Sequence, residues 1–320
     1  MALQIELLET SFQAIAPRGK VTTNLKEACS TMVTTISRAA INDTVSDHHL
    51  LAWGYNEPFT AIEALKGKIL VIKLGGSTLE HQRAVLQDIV WLHSQGAYPL
   101  LVHGGGPYIN EWLKKLNIQA RFEHGLRVTD THTLEIVCMV LLGQLNPQLV
   151  LMTSQMGGKA IGLSGTDGGM VRAHIADERL GFVGEIDRVD ATPLRNLIEA
   201  GYIPIVAPLG QAPDGTCLNI NADLVASHLA GALGADKLLF LSNVPGICHS
   251  NGKLISEVTA AQARWLIEDG VITGGMLPKV QACLDALTCV PCVHILDGRE
   301  PHALLQALFT EQGAGTMMVR

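Results

Sequence analysis

From residue 68 onward the chain alternates short apolar runs, glycine-bearing loops and longer stretches with helical spacing. The first run, 68–73 (Lys-Ile-Leu-Val-Ile-Lys), is short, rich in β-branched residues and stopped by Gly75 and Gly76. Such a run predicts a parallel strand covered on both faces. Residues 79–95 predict a helix and 98–102 a second strand. His103-Gly104-Gly105-Gly106-Pro107 closes that strand, and Pro107 suits the first turn of a helix through Trp112 to Leu116. Thr129 or Asp130 can cap a further helical run through Ile136, Val140 and Leu141. Residues 161–189 hold short strands and many glycines. Residues 194–200 and 202–206 repeat the helix and strand, and 215–220 reads as extended.

The stretch Asn219-Ile-Asn221-Ala-Asp223 opens a helix through Leu233, with 236–241 another buried strand. Helices over 260–269 and 276–287 and strands near 293–296 and 316–319 complete the pattern. Strand, loop and helix in alternation predict an α/β fold with helices on both faces of a parallel sheet. Residues 1–66 have a different texture. Ile5, Leu8 and Phe12 keep helical spacing and 25–40 can form a second helix, so 1–66 reads as a helical extension. Two lobes follow, 67–235 and 236–320.

At 320 residues, 48% hydrophobic and 17% charged, the chain can bury a sizeable core. A formal net charge of −7 argues against a nucleic-acid binder, which needs a basic face to meet phosphates. The amino terminus has an early acid and no basic run, and no apolar run approaches the length of a membrane helix, so a cytoplasmic, non-membrane protein is expected. Cys29, Cys138, Cys217, Cys248, Cys283, Cys289 and Cys292 read as buried, reduced thiols. Cys289 and Cys292 form a CxxC, but no second CxxC completes a zinc site.

Several nucleotide and hydrolase fingerprints fail. Gly157-Gly158-Lys159 is followed by Ala160 and has Thr153 where a P-loop needs glycine. Ile109 breaks GxGxxG after Gly104, and Thr166 breaks the nucleophile elbow around Ser164. What remains is Lys73 and Lys279, each beside a glycine pair, with Asp223 and Arg127 between them. That inventory suits phosphoryl transfer, where catalysis is mostly positioning and charge stabilisation.

The motifs 73–76 (KLGG), 103–107 (HGGGP), 125–129 (GLRVT), 219–223 (NINAD) and 273–279 (TGGMLPK) stand in an order that resembles the acetylglutamate kinase branch of the amino acid kinase family, across about residues 66–320. The resemblance implies a three-layer αβα sandwich around a mainly parallel open sheet of about eight strands. The first lobe would take the amino acid and the second ATP, with transfer of the γ-phosphoryl group of MgATP to the side-chain carboxylate of N-acetyl-L-glutamate in arginine biosynthesis. It assigns Lys73 and Lys279 to the transferring group and Asp223 to organising them. Gly105, Gly106, Arg127 and Asn219 would hold the amino acid. Gly75, Gly76, Ser242, Asn243, Gly246, Thr273 and Gly274 would line ATP, with Mg2+ carried on its phosphates rather than by a protein metal site.

Residues 309–316 resemble the arginine-sensitive members of the family, which implies L-arginine inhibition through His294, Glu311 and Gly313 and a homo-oligomer, dimeric or hexameric. Two alternatives stay open: a kinase of carrier-protein-linked aminoadipate or glutamate, and a catalytically silent arginine sensor. Arg127-Val-Thr129 without a longer insertion favours the acetylglutamate branch over the first. Both lysines and Asp223 count against the second.

Overall fold

The computed structural model describes residues 58–310 and 314–320. Helix α1 (Pro58–Leu65) leads into β1 (Ile69–Leu74), a 3-10 turn and α2 (Gln82–Ser94), then β2 (Tyr98–His103) and α3 (Gly106–Lys115). The expected helix over 79–95 is therefore two pieces. A small hairpin, β3 (Phe122–Glu123) and β4 (Leu126–Arg127), precedes α4 (Thr131–Cys138), which runs through a π-helical segment (Met139–Leu145) into α5 (Asn146–Gln155). Next come β5 (Ala160–Ser164), β6 (Val171–Ile175), β7 (Gly184–Val189), α6 (Thr192–Glu199), β8 (Ile203–Ala207), β9 (Leu209–Gln211) and β10 (Cys217–Asn219). The chain continues with α7 (Ala222–Leu233), β11 (Lys237–Ser242), β12 (Glu257–Thr259), α8 (Ala260–Glu268), α9 (Met276–Ala286), β13 (Cys292–Asp297), α10 (Ala303–Phe309) and β14 (Thr316–Val319).

Eight of these strands make one sheet in the order β12-β14-β13-β11-β1-β2-β8-β5. All pairings are parallel except β13 with β14. β1 pairs with β2 on one side and β11 on the other, so a single sheet crosses the 235/236 boundary. This is the mainly parallel eight-stranded sheet expected. A second, four-stranded sheet (β10-β9-β6-β7) lies outside it.

The period-2 alternation of strands sorts side chains onto two faces. On β1, Leu70, Ile72 and Leu74 join the core that α2, α5 and α10 cover, whereas Val71 joins the core built by α7 and α9. Lys73, two residues beyond Val71, shares the α7 and α9 face. That placement decides the site.

Residues 131–155 correct one expectation, because they form a continuous helical stretch of 25 residues, long and apolar enough by length and composition to cross a membrane. Gly143, Asn146 and Pro147 hide its continuity in the sequence. Nearly half of its most apolar part is buried, with Val137, Leu141, Leu145 and Leu149 inside the α2 core. The expected helices within residues 1–40 lie outside the described residues.

Candidate active site

The site forms where β1, β2 and β11 end, at the carboxyl edge of the sheet, as open α/β sheets place their ligands. α7 begins there because Asn221 is its N-cap, its side-chain oxygen accepting the Asp223 backbone N–H at 2.8 Å. This sets Asp223 in the first turn, with its carboxylate turned to the sheet. Lys73 Nζ lies 2.7 Å from Asp223 Oδ1, and Lys279 Nζ, from the first turns of α9, lies 3.5 Å from Oδ2. Lys279 also stands over the Phe240 ring, 5.9 Å from its centroid. Phe240 is the register partner of Lys73 across β1 and β11, so one face of the sheet supports both cations.

Lys73 is buried, and that burial, helped by the Lys279 charge, lowers its pKa, while Asp223 opposes the shift. At Asp223 burial pushes the carboxyl up, but the Lys73 and Lys279 charges win and hold it below the usual carboxylate range. The trio is thus two cations held on one ionised carboxylate.

The two glycine turns meet beside it. A Cβ on Gly76 would fall 2.7 Å from Pro107 Cδ, 3.0 Å from Gly106 N and 3.3 Å from Gly105 N, so only glycine lets these backbones lie this close. A Cβ on Gly105 would strike Leu141 and Leu145. Gly75 N–H is spent on Leu241 O at 3.0 Å, which ties the first turn to β11. Gly105 is the N-cap of α3, so the Gly106 N–H lies among the orphan donors of a helix start.

His103 beneath this turn is buried, and burial lowers its pKa to about 4. Its Nδ1–H donates to Gly104 O at 2.9 Å, and its Nε2 accepts from Asn146 Nδ2 at 3.2 Å. Asn146 also donates to Ile205 O at 2.9 Å. Sequence reasoning missed this support because nothing links positions 103 and 146 except the fold.

The second half of the site is built by the hairpin and β10. Arg127 is 8% exposed although it sits in a two-residue strand, which overturns the surface placement that a lone arginine would suggest. Its Nη2 donates to Gly106 O at 3.2 Å and its guanidinium lies 4.7 Å from the Phe122 centroid. Nη1 is buried without a hydrogen-bond partner. Thr129 connects the parts: its hydroxyl donates to Arg127 O at 2.8 Å and accepts from Asn219 Nδ2 at 3.1 Å. The helix cap falls to Asp130, which accepts from Thr133 N–H.

Residues 68–297 match the amino acid kinase family. The chain belongs to the amino acid kinase family. It is 44% identical over 272 residues to acetylglutamate kinase from Thermosynechococcus vestitus, covering 82% of this chain and 92% of that one. It is 46% identical over 275 residues to acetylglutamate kinase from Caldicellulosiruptor bescii, covering 82% and 94%. Among solved structures, N-acetylglutamate synthase from Neisseria gonorrhoeae, complexed with coenzyme A and N-acetyl-glutamate, superposes with TM-score 0.75 at 25% identity over 84% of this chain. The chain spans 63% of that synthase's length. Carbamate kinase from Giardia lamblia, at 17% identity and TM-score 0.61, shares the fold.

The remaining expected residues of this amino acid kinase scatter more widely. Ser242 ends β11 with its hydroxyl buried and without a partner, and Asn243 is exposed beside it. Gly246, at φ +137°, faces inward: a Cβ there would fall 2.6 Å from Thr316 Oγ1. Its glycine serves the packing of β14. Thr273 and Gly274 are exposed at the start of α9, with Gly274 at φ +56°.

His294 lies inside β13, 3% exposed, with Nε2 3.2 Å from Cys292 Sγ. Burial lowers its pKa to about 3, so it offers no exposed cationic face. Glu311 and Gly313 lie outside the described residues. Among the described residues no three His, Cys, Asp or Glu side chains gather to hold a metal ion. Asp223, the carboxylate at the centre, already faces two lysines.

Proposed function

We propose that this chain transfers the γ-phosphoryl group of MgATP to the side-chain carboxylate of N-acetyl-L-glutamate, giving N-acetyl-L-glutamyl 5-phosphate and ADP. The observation that carries the reading is Asp223 facing Lys73 and Lys279 together, beside the glycine turns at the sheet edge. The two ammonium groups stand ready for an anionic group in transit, and the Gly76, Gly105 and Gly106 backbones border the same space. Magnesium bound with ATP supplies further neutralisation at the phosphates. Lobe 67–235 holds the amino acid and 236–320 the nucleotide, with Ser242 and the 273–274 turn toward it. A cytoplasmic place follows from this reading.

Arg127 and Asn219 hold the acetylglutamate. The unpartnered Nη1 is a desolvated donor suited to a carboxylate, and among the described residues Arg127 forms no salt bridge with a carboxylate that could instead receive an ammonium group. Free glutamate would bury its ammonium without a counter-charge, at a cost of several kcal/mol. Measuring ADP release with acetylglutamate, glutamate, aspartate and aminoadipate tests this, and turnover of glutamate equal to that of acetylglutamate contradicts it. The exposed Met139, Leu142 and Leu151 along 131–155 favour a homo-oligomer. Inhibition by L-arginine rests on the resemblance of 309–316, with Glu311 rather than the buried His294 meeting the ligand. An assay with millimolar L-arginine decides it.

A further inference from the structure

Cys138 closes α4 and Cys217 opens β10, and α4 packs on β10. The two cysteines are 79 positions apart in sequence, yet their Sγ atoms lie 3.8 Å apart. Both are free and half-buried. They stand apart from the CxxC, where Cys289 is exposed and contacts the Thr288 hydroxyl while Cys292 contacts His294. The same seam between the 127–138 segment and β10 carries the Asn219 to Thr129 hydrogen bond, and Asn219 is two residues beyond Cys217.

We propose that Cys138 and Cys217 are a disulfide-forming pair that a peroxide oxidises, and that the closed bridge weakens binding of N-acetyl-L-glutamate. The contact between the two sulfurs holds the first of the pair to ionise below the ordinary cysteine range, and that sulfur, taken as Cys138, supplies the thiolate that attacks. Its sulfur bonds to one peroxide oxygen, the O–O bond breaks, and the released hydroxide takes a proton to leave as water. The Cys217 sulfur then attacks the resulting Cys138 sulfenic acid, the S–O bond breaks, and a second water leaves with the Cys217 proton. Two thiols are oxidised and one peroxide is reduced to two waters. A disulfide needs sulfurs about 2.05 Å apart, so the two sulfurs must approach each other by well over 1 Å. The bridge would tie the end of α4 to β10 two residues before Asn219, whose amide donates to Thr129.

The effect on binding rests on the acetylglutamate reading; the disulfide does not. The full chain is treated with hydrogen peroxide, its peptides are mapped without reduction, and the KM for acetylglutamate is measured before and after dithiothreitol. The expected result is a linked pair of peptides containing Cys138 and Cys217, with a several-fold rise in KM that dithiothreitol reverses and that Cys217→Ser lacks. Absence of the linked peptide under conditions that oxidise Cys289 overturns the pair. A linked peptide with unchanged KM, or the same rise in Cys217→Ser, overturns its effect on binding. Should the reduced enzyme leave acetylglutamate untouched, the substrate reading fails, and with it the effect on binding, while the peptide map still decides the disulfide.

Discussion

At the Lys73 end of the site, proposed for the phosphoryl group, two largely buried cations already share a counter-charge, whereas at the Arg127 end, proposed for the amino acid, a buried guanidinium nitrogen has no hydrogen-bond partner. The first end rests on the central strands and on two helix starts, all within the core. The second hangs on a two-residue hairpin strand and a three-residue strand. One end is set before any ligand arrives. The other leaves a desolvated donor for the ligand to complete. Groups placed in advance for developing charge should govern kcat, and groups completed by the substrate should govern KM.

The largest effect should come from Lys73→Ala and Lys279→Ala. Each should lower kcat by about 10²–10³, roughly 2.7–4 kcal/mol in the barrier, with a smaller change in KM. Steady-state kinetics checks this, and a folded variant with unchanged kcat removes that lysine from the phosphoryl end.

Asp223→Asn should lose both rate and stability, since it leaves two largely buried ammonium groups facing each other; breaking a buried pair costs about 3–5 kcal/mol. The Asp223 pKa is lowered on folding, so its contribution is present above the ordinary carboxylate pKa and lost as pH falls. The thermal stability advantage of the native chain over Asp223→Asn should therefore be full at neutral pH and shrink below about pH 4. A gap that grows on acidification would reverse the sign.

Arg127→Ala sharpens the contrast from the other side. Losing a charge-assisted bond worth about 1.5–3 kcal/mol should raise the KM for acetylglutamate about 10- to 100-fold while kcat falls far less. Phe122→Ala should act weakly in the same direction. A cation–π contact at an exposed ring is worth about 0.5–1 kcal/mol, or roughly 2- to 5-fold in KM.

The same contrast explains which parts of the molecule are legible in the amino-acid sequence. The core strands are, because buried parallel strands are continuous apolar runs, and the glycine turns and lysines at their ends are legible with them. β3, β4 and β12 are not, because strands of two or three residues carry no periodicity. Arg127 shows the cost: its residue type alone suggests a surface charge, and only the company of Lys73, Lys279 and Asp223 and the resemblance move it into the site. Gly246 is expected to line nucleotide by resemblance, while its neighbours show that it makes room for Thr316. Spacing among the cysteines points to Cys289 and Cys292, but the sulfur contact forms between Cys138 and Cys217, which no local pattern encodes.

If the Lys73, Asp223 and Lys279 cluster serves phosphoryl transfer to a carboxylate, the product is an acyl phosphate. Hydroxylamine trapping tests it most directly, because an acyl phosphate reacts to a hydroxamate. Hydroxamate formation should require both ATP and N-acetyl-L-glutamate and should fall about 10²–10³-fold in Lys73→Ala. ATP consumption with no hydroxamate, or hydroxamate formed equally well by Lys73→Ala, would contradict it.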